Sequence, residues 1–568
     1  AVFLVVSALV FIRPDPVEAW SSSDAAVLLI EHGTWQSWPT NTPSDTAVDS
    51  SGNSYITGST REASDCCGNG FDVYVSKVNS SGNIVWTKVF ETVPGGVGFW
   101  ANSGDDEGKA ITVDSSGNVY ITGLYRSTVD FDPGPGTMEL TNSGDGLHYD
   151  IFIVKLDSSG NLVWAKSVGV IGRDYVEDIA VDSSGNVYVT GFIGRANNDF
   201  DPGPGTVTLP YNADWSTNGT NAFILKLDSS GNYVWAKSLG GTDPTPQANA
   251  QGHELAIDSS GFVYMAGEFG QSIDLDPGTG IEKFTSNGNA DIFVLKLDSS
   301  SNYVWAKTFG SDVGHLPDGV SSIAVDSSGN IIIGGFFRGR NVDFDPGPGT
   351  AELDVYPADQ GYSQATGFIL KLDSSGNYVW VKQPGTSGVK NVVIDSSNNI
   401  HMSGIFSGTR DFDPNEGIAE LTSTLQATFT SKWDSAGNYI WAKKIDSSNG
   451  SLKAGGLGVD SSGNVYRVSS WLSDYTIDFG NGVGIPNPTE TSGSFLAKFD
   501  SSGNLAPGVA ATPPGFTLST TSVSVAESGT TATFSVVLDA QPAGDVVIYA
   551  FSSDPGEAQV GAPLTFTS

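Results

Sequence analysis

The chain has 568 residues and a net charge of −36, because 63 acidic side chains outnumber 27 basic ones. This charge opposes binding to phosphate backbones, so the composition argues against a nucleic-acid partner. Charged residues make up 16% of the chain, well below the ~25% of an average soluble protein. Gly, Ser, Thr and Asn replace them, as is typical of turn-rich all-β proteins exposed outside the cell.

The chain opens with an apolar run from Val2 to Ile12, which is too short to span a bilayer. Small or apolar residues follow at Val17-Glu18-Ala19, and they indicate a signal peptide over residues 1–19 that is truncated at its start. A short membrane anchor is the alternative interpretation. We therefore expect a secreted, extracellular or cell-surface protein with no membrane span in the mature chain.

A five-residue motif, Asp/Asn-Ser-Ser-Gly-Asn, occurs fourteen times in the chain, ten times without change. Both flanks of the motif are rich in Val, Ile, Tyr and Phe, which predicts a β-hairpin at each copy. The Asp can accept backbone N–H bonds in a type I turn, and the Gly suits the left-handed position of a three-residue hairpin loop. In Ser397-Asn398-Asn399 the Gly is lost, and Asn tolerates the same conformation.

The hairpins alternate in two kinds, and two hairpins make a four-stranded unit. The first hairpins recur every 65–76 residues, at Asp49, Asp114, Asp182, Asp258, Asp326, Asp395 and Asp460. The second hairpins start at Asn79, Asp157, Asp228, Asp298, Asp373, Asp434 and Asp500. Seven four-stranded units predict an all-β fold, a seven-bladed β-propeller over residues 27–505. Strands such as Phe293-Val294-Leu295 are apolar on both faces, which suits a sheet held between two neighbouring blades.

A Trp follows six of the second hairpins: Trp86, Trp164, Trp235, Trp305, Trp380 and Trp441. We interpret these residues as blade-to-blade packing, with a sugar-binding platform as the alternative. The seventh hairpin leaves the strand pattern after Asp500. We expect the N-terminal segment from Val27 to Trp38 to supply the missing outer strand, which closes the ring and removes two free sheet edges.

A second motif, Asp-x-Asp-Pro, recurs between the hairpins of five units. Its acidic residues are Asp130, Asp132, Asp199, Asp201, Asp274, Asp276, Asp343, Asp345, Asp411 and Asp413. Residues two apart in an extended chain project to one side, so each motif presents two carboxylates while the Phe or Leu between them points inward. Clustered oxygens of this kind suit Ca²⁺, with carbonyls of the Gly-rich turn completing the shell. The alternative is turn chemistry, in which each Asp caps its own backbone.

The last part of the chain reads as a linker and a second domain. The linker covers residues 506–515 and contains Pro513-Pro514, and residues 516–568 alternate polar and apolar side chains. This segment is similar to a Calx-beta domain, an immunoglobulin-like β-sandwich, of which about half is present. Glu527 is a further candidate calcium ligand there. A half-sandwich exposes a sheet edge and should be unstable alone.

The Val-Asp-Ser-Ser-Gly-Asn-Val-Tyr-Ile-Thr-Gly pattern and its partner hairpin resemble the bacterial SBBP family of seven-bladed propeller repeats. The resemblance covers about residues 27–505. It implies a fold found in large secreted and surface proteins, and it implies little about activity.

Few residues suggest catalysis. The two cysteines are adjacent, Cys66-Cys67, so they are loop thiols or a vicinal bridge. The histidines are His32, His148, His253, His315 and His401, and we expect His148, His253 and His315 in connections near the Asp-x-Asp-Pro end. No nucleophile elbow, His-Glu-x-x-His pair or phosphate loop is present.

We therefore expect a binding, adhesion or structural scaffold protein, with its oligomeric state open. Its protein or glycan ligand is presented on irregular connections such as residues 65–70, 91–108 and 356–366. The alternative is an extracellular hydrolase or lyase with its site in the propeller channel, which requires one cluster of His, Asp and Arg near the ends of the loops.

Overall fold

The computed structural model describes residues 4–5, 27–30, 41–60, 71–93, 106–142, 148–169, 174–194, 198–211, 219–240, 249–311, 317–355, 365–447, 452–472, 477–479, 484–485, 492–505, 516–518, 522–523, 536–538, 546–548 and 564–566. These ranges contain strands and turns and no helix. The chain divides into two compact units, one of residues 26–506 and one of residues 1–25 with 507–568.

The larger unit is a seven-bladed β-propeller with four-stranded antiparallel blades, as predicted. The first strands are Asn41–Val48, Glu107–Val113, Asp174–Val181, Ala250–Ile257, Gly319–Val325, Gly388–Ile394 and Lys453–Val459. The second strands are Ser54–Thr60, Val119–Tyr125, Val187–Ile193, Val263–Phe269, Ile331–Phe337, Ile400–Asp411 and Val465–Leu472. The third strands are Asp72–Val78, Asp150–Leu156, Asn221–Leu227, Asp291–Leu297, Thr366–Leu372, Glu420–Trp433 and Ser492–Phe499. The outer strands of blades 1–6 are Ile84–Thr92, Leu162–Val168, Tyr233–Leu239, Tyr303–Phe309, Tyr378–Lys382 and Tyr439–Ser447.

The first strands form the innermost circle of the ring. Each contacts the first strand of the next blade, and that of blade 7 contacts that of blade 1. They therefore line the central channel. In blade 7, Val27–Ile30 pairs antiparallel with the third strand, Ser492–Phe499.

The hydrophobic core lies between blades, because alternate residues of each strand face opposite neighbours. In the third strand of blade 4, Phe293 and Leu295 pack with residues of blade 3, while Val294 packs with residues of blade 5. All three side chains are fully buried. This arrangement confirms the prediction that the strands are apolar on both faces.

The repeated motif forms the predicted turn. In the turn that begins at Asp49, the Asp49 backbone pairs with Asn53, and Gly52 has a φ of 79°. Asp49 Oδ1 accepts the backbone N–H groups of Ser51 and Asn53, each at 2.9 Å. Where the Gly is replaced, Asn398 takes the left-handed conformation with a φ of 61°, as predicted.

Short hairpins are inserted between the second and third strands of several blades. Their strands are Thr128–Asp130 with Glu139–Thr141, Ser272–Asp274 with Lys283–Thr285, Val342–Asp343 with Glu352–Leu353, and Ile477–Asp478 with Gly484–Ile485. In blade 6 the second and third strands themselves extend to form this hairpin. Four of the five Asp-x-Asp-Pro motifs lie on these insertions, and that of blade 3 lies on a loop with a single bridge between Asp199 and Thr208.

The second unit is described only as paired strand segments. These pairs are Leu4–Val5 with Ser522–Val523, Phe516–Leu518 with Val536–Leu538, and Val546–Ile548 with Leu564–Phe566, all antiparallel. The signal peptide over residues 1–19 and the linker over residues 506–515 stay predictions.

Candidate functional site

The five-residue turns join each blade to the next. In blade 2, Trp164 Nε1 donates to the backbone carbonyl of Ser229 at 3.2 Å, and Lys155 Nζ donates to the same oxygen at 3.4 Å. Ser229 belongs to the second turn of blade 3, where the ring of Trp164 lies against Gly231, so closely that a Cβ there would come within 3.0 Å. Equivalent Trp bonds reach Ser158, Ser299, Ser374 and Ser501. The Trp residues therefore pack between blades, as predicted.

The same joint links the last blade to the first. Lys498 Nζ donates to the carbonyl of Ser80 at 2.9 Å, and the ammonium group lies 5.1 Å from the centre of the Tyr466 ring. Charge-assisted bonds of this kind are stronger than neutral ones. The repeated chemistry of the turns is thus accounted for by the assembly of the ring.

A tyrosine supports the turn Asp in five blades. Its hydroxyl donates to the second carboxylate oxygen, as Tyr188 does to Asp182 at 3.2 Å. In blade 6, His401 replaces the tyrosine: its Nε2 lies 3.0 Å from Asp395, and Lys432 lies 3.1 Å from the same oxygen. Burial alone raises the pKa of Asp395, but the hydrogen bonds from His401 and neighbouring groups outweigh it and hold that pKa well below its usual range.

A cleft of about 390 Å³ opens between the turns of blades 1 and 2. Its lining includes Asp49, Tyr55, Lys77 and Ser158. Lys77 already donates to the Ser158 carbonyl at 3.1 Å. Because the lining consists of joint residues, we interpret the cleft as the space between two blades.

The Asp-x-Asp-Pro motifs form tight loops in which both acids bind their own backbone. Asp130 Oδ1 accepts the N–H groups of Asp132 and Met138, at 3.0 and 2.8 Å, and Asp132 Oδ1 accepts that of Gly134 at 2.9 Å. The other oxygen of Asp132 lies against Gly136, where an added Cβ would meet it at 2.1 Å, so a side chain there would displace the carboxylate.

The other four motifs repeat these bonds. Their acids are Asp199 with Asp201, Asp274 with Asp276, Asp343 with Asp345, and Asp411 with Asp413. The residues between the acids are buried as predicted, namely Phe131, Phe200, Leu275, Phe344 and Phe412. The geometry therefore includes the predicted turn chemistry. Glu527 lies outside the described residues.

Each insertion also contacts the preceding blade, which the sequence did not predict. Asp130 and Val129 of blade 2 pair with Glu91 and Thr92 of the outer strand of blade 1. The ring of Phe131 lies 5.3 Å from that of Phe90 in the same strand. The motifs thus form a second set of joints. Among the described residues, no three His, Cys, Asp or Glu side chains are grouped so that they could hold a metal ion.

The channel carries side chains that differ from blade to blade. The first strand of every blade has a β-bulge at the same level, seen as a register shift against the second strand. The extra residues at the bulge are Ser44, Lys109, Glu177, His253, Ser321, Lys390 and the pair Gly455-Gly456. A bulge redirects side chains and is common beside functional sites. We call these residues, together with Asp45, Asp178, Glu254 and Ser322 that directly follow four of them, the bulge layer.

Several acids of the bulge layer act on one another across the ring. Burial, and then the charge of Asp45, raises the pKa of Asp178 to about 7. Burial raises the pKa of Glu254 well above its ordinary value, and the charges of Asp178 and Asp45 add to this effect. Blades 1, 3 and 4 are not all neighbours, so these side chains project toward the centre of the ring.

Part of the bulge layer also joins blades in pairs. Asp45 accepts the backbone N–H of Ile111 in blade 2 at 3.0 Å, and Asp178 accepts that of Leu255 in blade 4 at 2.7 Å. Ser322 Oγ accepts the N–H of Val392 in blade 6 at 3.0 Å. These bonds fix the inner strands against one another, while the remaining polar groups face the channel.

His253 and Glu268 form the one His–carboxylate contact found in the described part of the channel wall. His253 Nε2 lies 3.8 Å from Glu268 Oε1, and each side chain is 23% exposed. Burial lowers the pKa of His253 to about 4 and raises that of Glu268 to about 7, the latter with a contribution from Asp318. A neutral imidazole therefore lies beside a carboxyl group that titrates near neutral pH.

The histidine prediction was partly wrong. His253 lies within a first strand, not in a connection, because the bulge places it in the middle of that strand. His401 is buried in the second strand of blade 6. His32 and His315 lie outside the described residues, as do residues 65–70, 94–105 and 356–364 of the predicted binding loops.

Comparisons with protein families and with other sequences agree with the propeller fold. The SBBP beta-propeller repeat model matches residues 95–124 and 163–201. The chain is a β-propeller repeat protein. This propeller is 24% identical, over 70% of its length, to the uncharacterized WD repeat-containing protein L264 of Acanthamoeba polyphaga mimivirus. It is 27% identical, over 48% of its length, to the regulatory protein FlaEY of Caulobacter vibrioides.

The chain spans 31% and 25% of the lengths of these two relatives. Among solved structures, the Dos1 propeller covers 85% of this chain and 95% of its own, with a TM-score of 0.40 and 9% identity. A calcium-binding protein, regucalcin, from Agrobacterium tumefaciens covers 65% of this chain and 88% of its own, with a TM-score of 0.28 and 10% identity. The described part of the propeller has no helix that is long and apolar enough to cross a membrane.

Proposed function

We propose that this propeller is a binding scaffold that presents the bulge layer and the divergent connections to a protein partner. One observation carries the proposal: the residues that repeat are bonded into joints, whereas Glu177, His253 and Lys390 differ from blade to blade and keep part of their surface exposed in the channel. Function on a rigid scaffold falls on positions that are not needed for its assembly.

The net charge of −36 favours a partner with a basic surface. We further propose that the protein acts outside the cell or at the cell surface, in keeping with its low content of charged residues. A glycan is the other ligand class that such a surface would suit, and binding arrays of both classes distinguish them.

The test compares two variants of the full chain. In the first, Glu177, His253 and Lys390 are changed to Ser, the residue that blade 5 carries at Ser321. In the control, the exposed turn residues Ser115 and Ser183 are changed to Ala. We expect immobilised wild-type and control chains to retain the same extracellular proteins in a salt-sensitive way, and the bulge variant to retain at least ~10-fold less, a change of about 1.4 kcal/mol. Equal retention by all three chains would refute a channel-centred site.

We also propose that Ca²⁺ binds the Asp-x-Asp-Pro loops and Glu527. The support is the pairing of two carboxylates with a Gly-rich loop. One oxygen of each acid caps the backbone, and the other oxygen of the second acid lies against a loop glycine. A thermal melt of the full chain with calcium and with chelator tests this proposal. We expect a saturable rise in the midpoint with calcium.

Asp343→Asn with Asp345→Asn should reduce that rise. Asp157→Asn is the matched control, because blade 1 carries Asn79 at the same turn position, and it should leave the rise unchanged. A midpoint that does not respond to calcium would leave the loops with their role as joints alone.

A second candidate function is hydrolase or lyase activity on an extracellular substrate in the channel, supported by the His253–Glu268 contact. A carboxyl group that titrates near neutral pH beside a neutral imidazole suits general acid–base chemistry. We expect Glu268→Gln to abolish any turnover of a panel of fluorogenic glycosides and esters. Absence of turnover by the wild-type chain across that panel would remove this candidate.

Two structural proposals accompany these functions. Val27–Ile30 closes the ring as the outer strand of blade 7, which is supported by its antiparallel pairing with the third strand. Residues 516–568 belong to an immunoglobulin-like Calx-beta module, in keeping with the antiparallel pairs between Phe516–Leu518 and Val536–Leu538.

A further inference from the structure

Blade 7 has a divided outer position. Leu505 forms a single bridge to Phe499, and Pro507, which has no backbone N–H, follows soon after. The remainder of the position is filled by Val27–Ile30. This arrangement differs from blades 1–6, whose outer strands follow directly from the five-residue turn.

The N-terminal segment takes the register of a regular outer strand. Val27 lies opposite Ala497, two residues before the end of the third strand, as Ala165 lies opposite Val154 in blade 2. The segment therefore fills a position that is specified by the repeat, although it comes from the other end of the chain.

The third strand of blade 7, Ser492–Phe499, needs a strand paired to its outer edge. Phe495, Leu496 and Ala497 of that strand are fully buried in the ring. Without an occupant, the third strand would also present an unpaired edge, which is a template for another strand.

Few backbone pairs hold this segment in the ring. The segment pairs through four residues, and residues 31–40 connect it to blade 1. Ten residues can span at most about 33–36 Å when extended, so the connection permits considerable reach. At this seam Ser80 accepts a bond from Lys498, and the described residues supply no Trp to match those of the regular joints.

We propose that the outer position of blade 7 is an exchangeable strand-acceptor site, and that its alternative occupant is Val27–Ile30 of a second copy of this chain. Reciprocal exchange makes the same backbone pairs in both copies, and it produces a two-fold symmetric dimer. The proposal rests on the ring closure proposed above. Within one chain the short connection gives the segment a high effective concentration, so exchange requires concentrated protein.

A disulfide test separates the two arrangements. Ile30 and Ser494 lie opposite each other, and opposed residues of antiparallel strands fit disulfide geometry. The test chain carries Ile30→Cys and Ser494→Cys, with Cys66→Ser and Cys67→Ser to remove the native thiols. It is refolded from denaturant at about 1 µM and about 200 µM, below and near the effective concentrations typical of short linkers, and then oxidised.

We expect a cross-linked monomer at the lower concentration and a cross-linked dimer that increases at least ~10-fold at the higher one. Two copies with different tags should form mixed dimers only when they are refolded together. The control pairs Ile30→Cys with Ser431→Cys, a buried serine of blade 6, and should give neither product.

Cross-linked monomer alone at both concentrations would overturn strand exchange and retain the proposed closure. Absence of both products would show that the segment does not occupy blade 7, and closure and exchange would fail together. Neither result bears on the partner-binding test, which uses variants in the channel. Light scattering on the unmodified full chain, purified as expressed and concentrated over the same range, provides a second reading in case the cysteine chain does not refold.

Discussion

The five-residue turns, which we call the turn layer, and the bulge layer lie on the same blades. They differ in how much their residues vary from blade to blade. At the turns, the same Asp recurs and binds its own backbone, while Trp164, Lys226 and Lys296 make equivalent bonds to the turn of the next blade. At the bulges, the residues change from Glu177 to His253 to Lys390, and their charges differ in sign. Recurring residues hold the ring together at the turns, whereas the side chains at the bulges differ from blade to blade.

The two layers also respond differently to ionisation. At the turns, hydrogen bonds from Asn161 lower the pKa of Asp157, so the charged form is stabilised. In the channel, burial raises the pKa of Asp45 to about 6, and burial together with the charge of Asp45 raises that of Asp178 to about 7, so the neutral form is favoured. Three measurements test this contrast, from the largest expected effect to the smallest.

Removal of one joint should have the largest effect. Trp164→Ala deletes the ring that lies against Gly231 and the bond to Ser229. Because Trp164 is only partly buried, we expect a loss of about 2–3 kcal/mol in the free energy of unfolding, below the ~3–5 kcal/mol of a fully buried aromatic. Denaturant unfolding measures it. Val163→Ala, at a side chain that is 50% exposed, is the control and should change little; equal losses would refute the joint.

The stability of the propeller should depend on pH in two directions. A carboxyl group with a raised folded pKa holds a proton that the unfolded chain releases, so stability falls as the pH rises from ~4 to ~7. A turn Asp with a lowered pKa behaves oppositely, and its contribution is lost as the pH falls below ~4. We therefore expect a maximum in the melting temperature near pH 4–5.

Glu254→Gln tests the channel side of this curve, because Gln resembles the protonated acid. We expect it to flatten the decline above pH 5, with a gain on the order of 1 kcal/mol at pH 8. The exposed Glu352→Gln should leave the curve unchanged. If the melting temperature of Glu254→Gln followed that of the wild type at every pH, the repulsion of Glu254 by Asp178 and Asp45 would be contradicted.

Restoration of the repeat at His401 should have the smallest effect. In His401→Tyr the hydroxyl can donate to Asp395 as Tyr466 does to Asp460 at 3.1 Å, and we expect a gain of about 0.5–1 kcal/mol. Tyr466→Phe in blade 7 is the comparison, because it removes only the hydroxyl that donates to Asp460. It should bring a loss of similar size. Thermal melts of both variants measure these changes. A loss of stability in His401→Tyr would contradict the role assigned to the tyrosine.

The fold could be predicted because its signals are local and repeated. The sequence around Asp49 contains the acceptor, the left-handed Gly52 and the flanking strands, so each hairpin is specified within a dozen residues. The role of Trp164 followed from its recurrence at one place in the unit. Repetition also determined the number of blades.

The candidate site could be predicted only in part. A β-bulge depends on the register of two paired strands, and nothing in the sequence near His253 marks it, so that residue was assigned to a connection. The contact between Val129 and Thr92 joins different blades and has no local signal. The burial of Phe131 between Asp130 and Asp132 was predictable, since it follows from strand alternation alone.

The bond from Lys498 to Ser80 joins residues 418 positions apart, which has a consequence for synthesis. At about 5–20 residues per second, synthesis of the 418 residues that separate them takes about 20 to 80 seconds. Throughout that time the face of blade 1 that blade 7 will cover has no partner. The propeller therefore grows as an open arc, and the interval before its two ends meet is the period in which a nascent chain has most need of a chaperone.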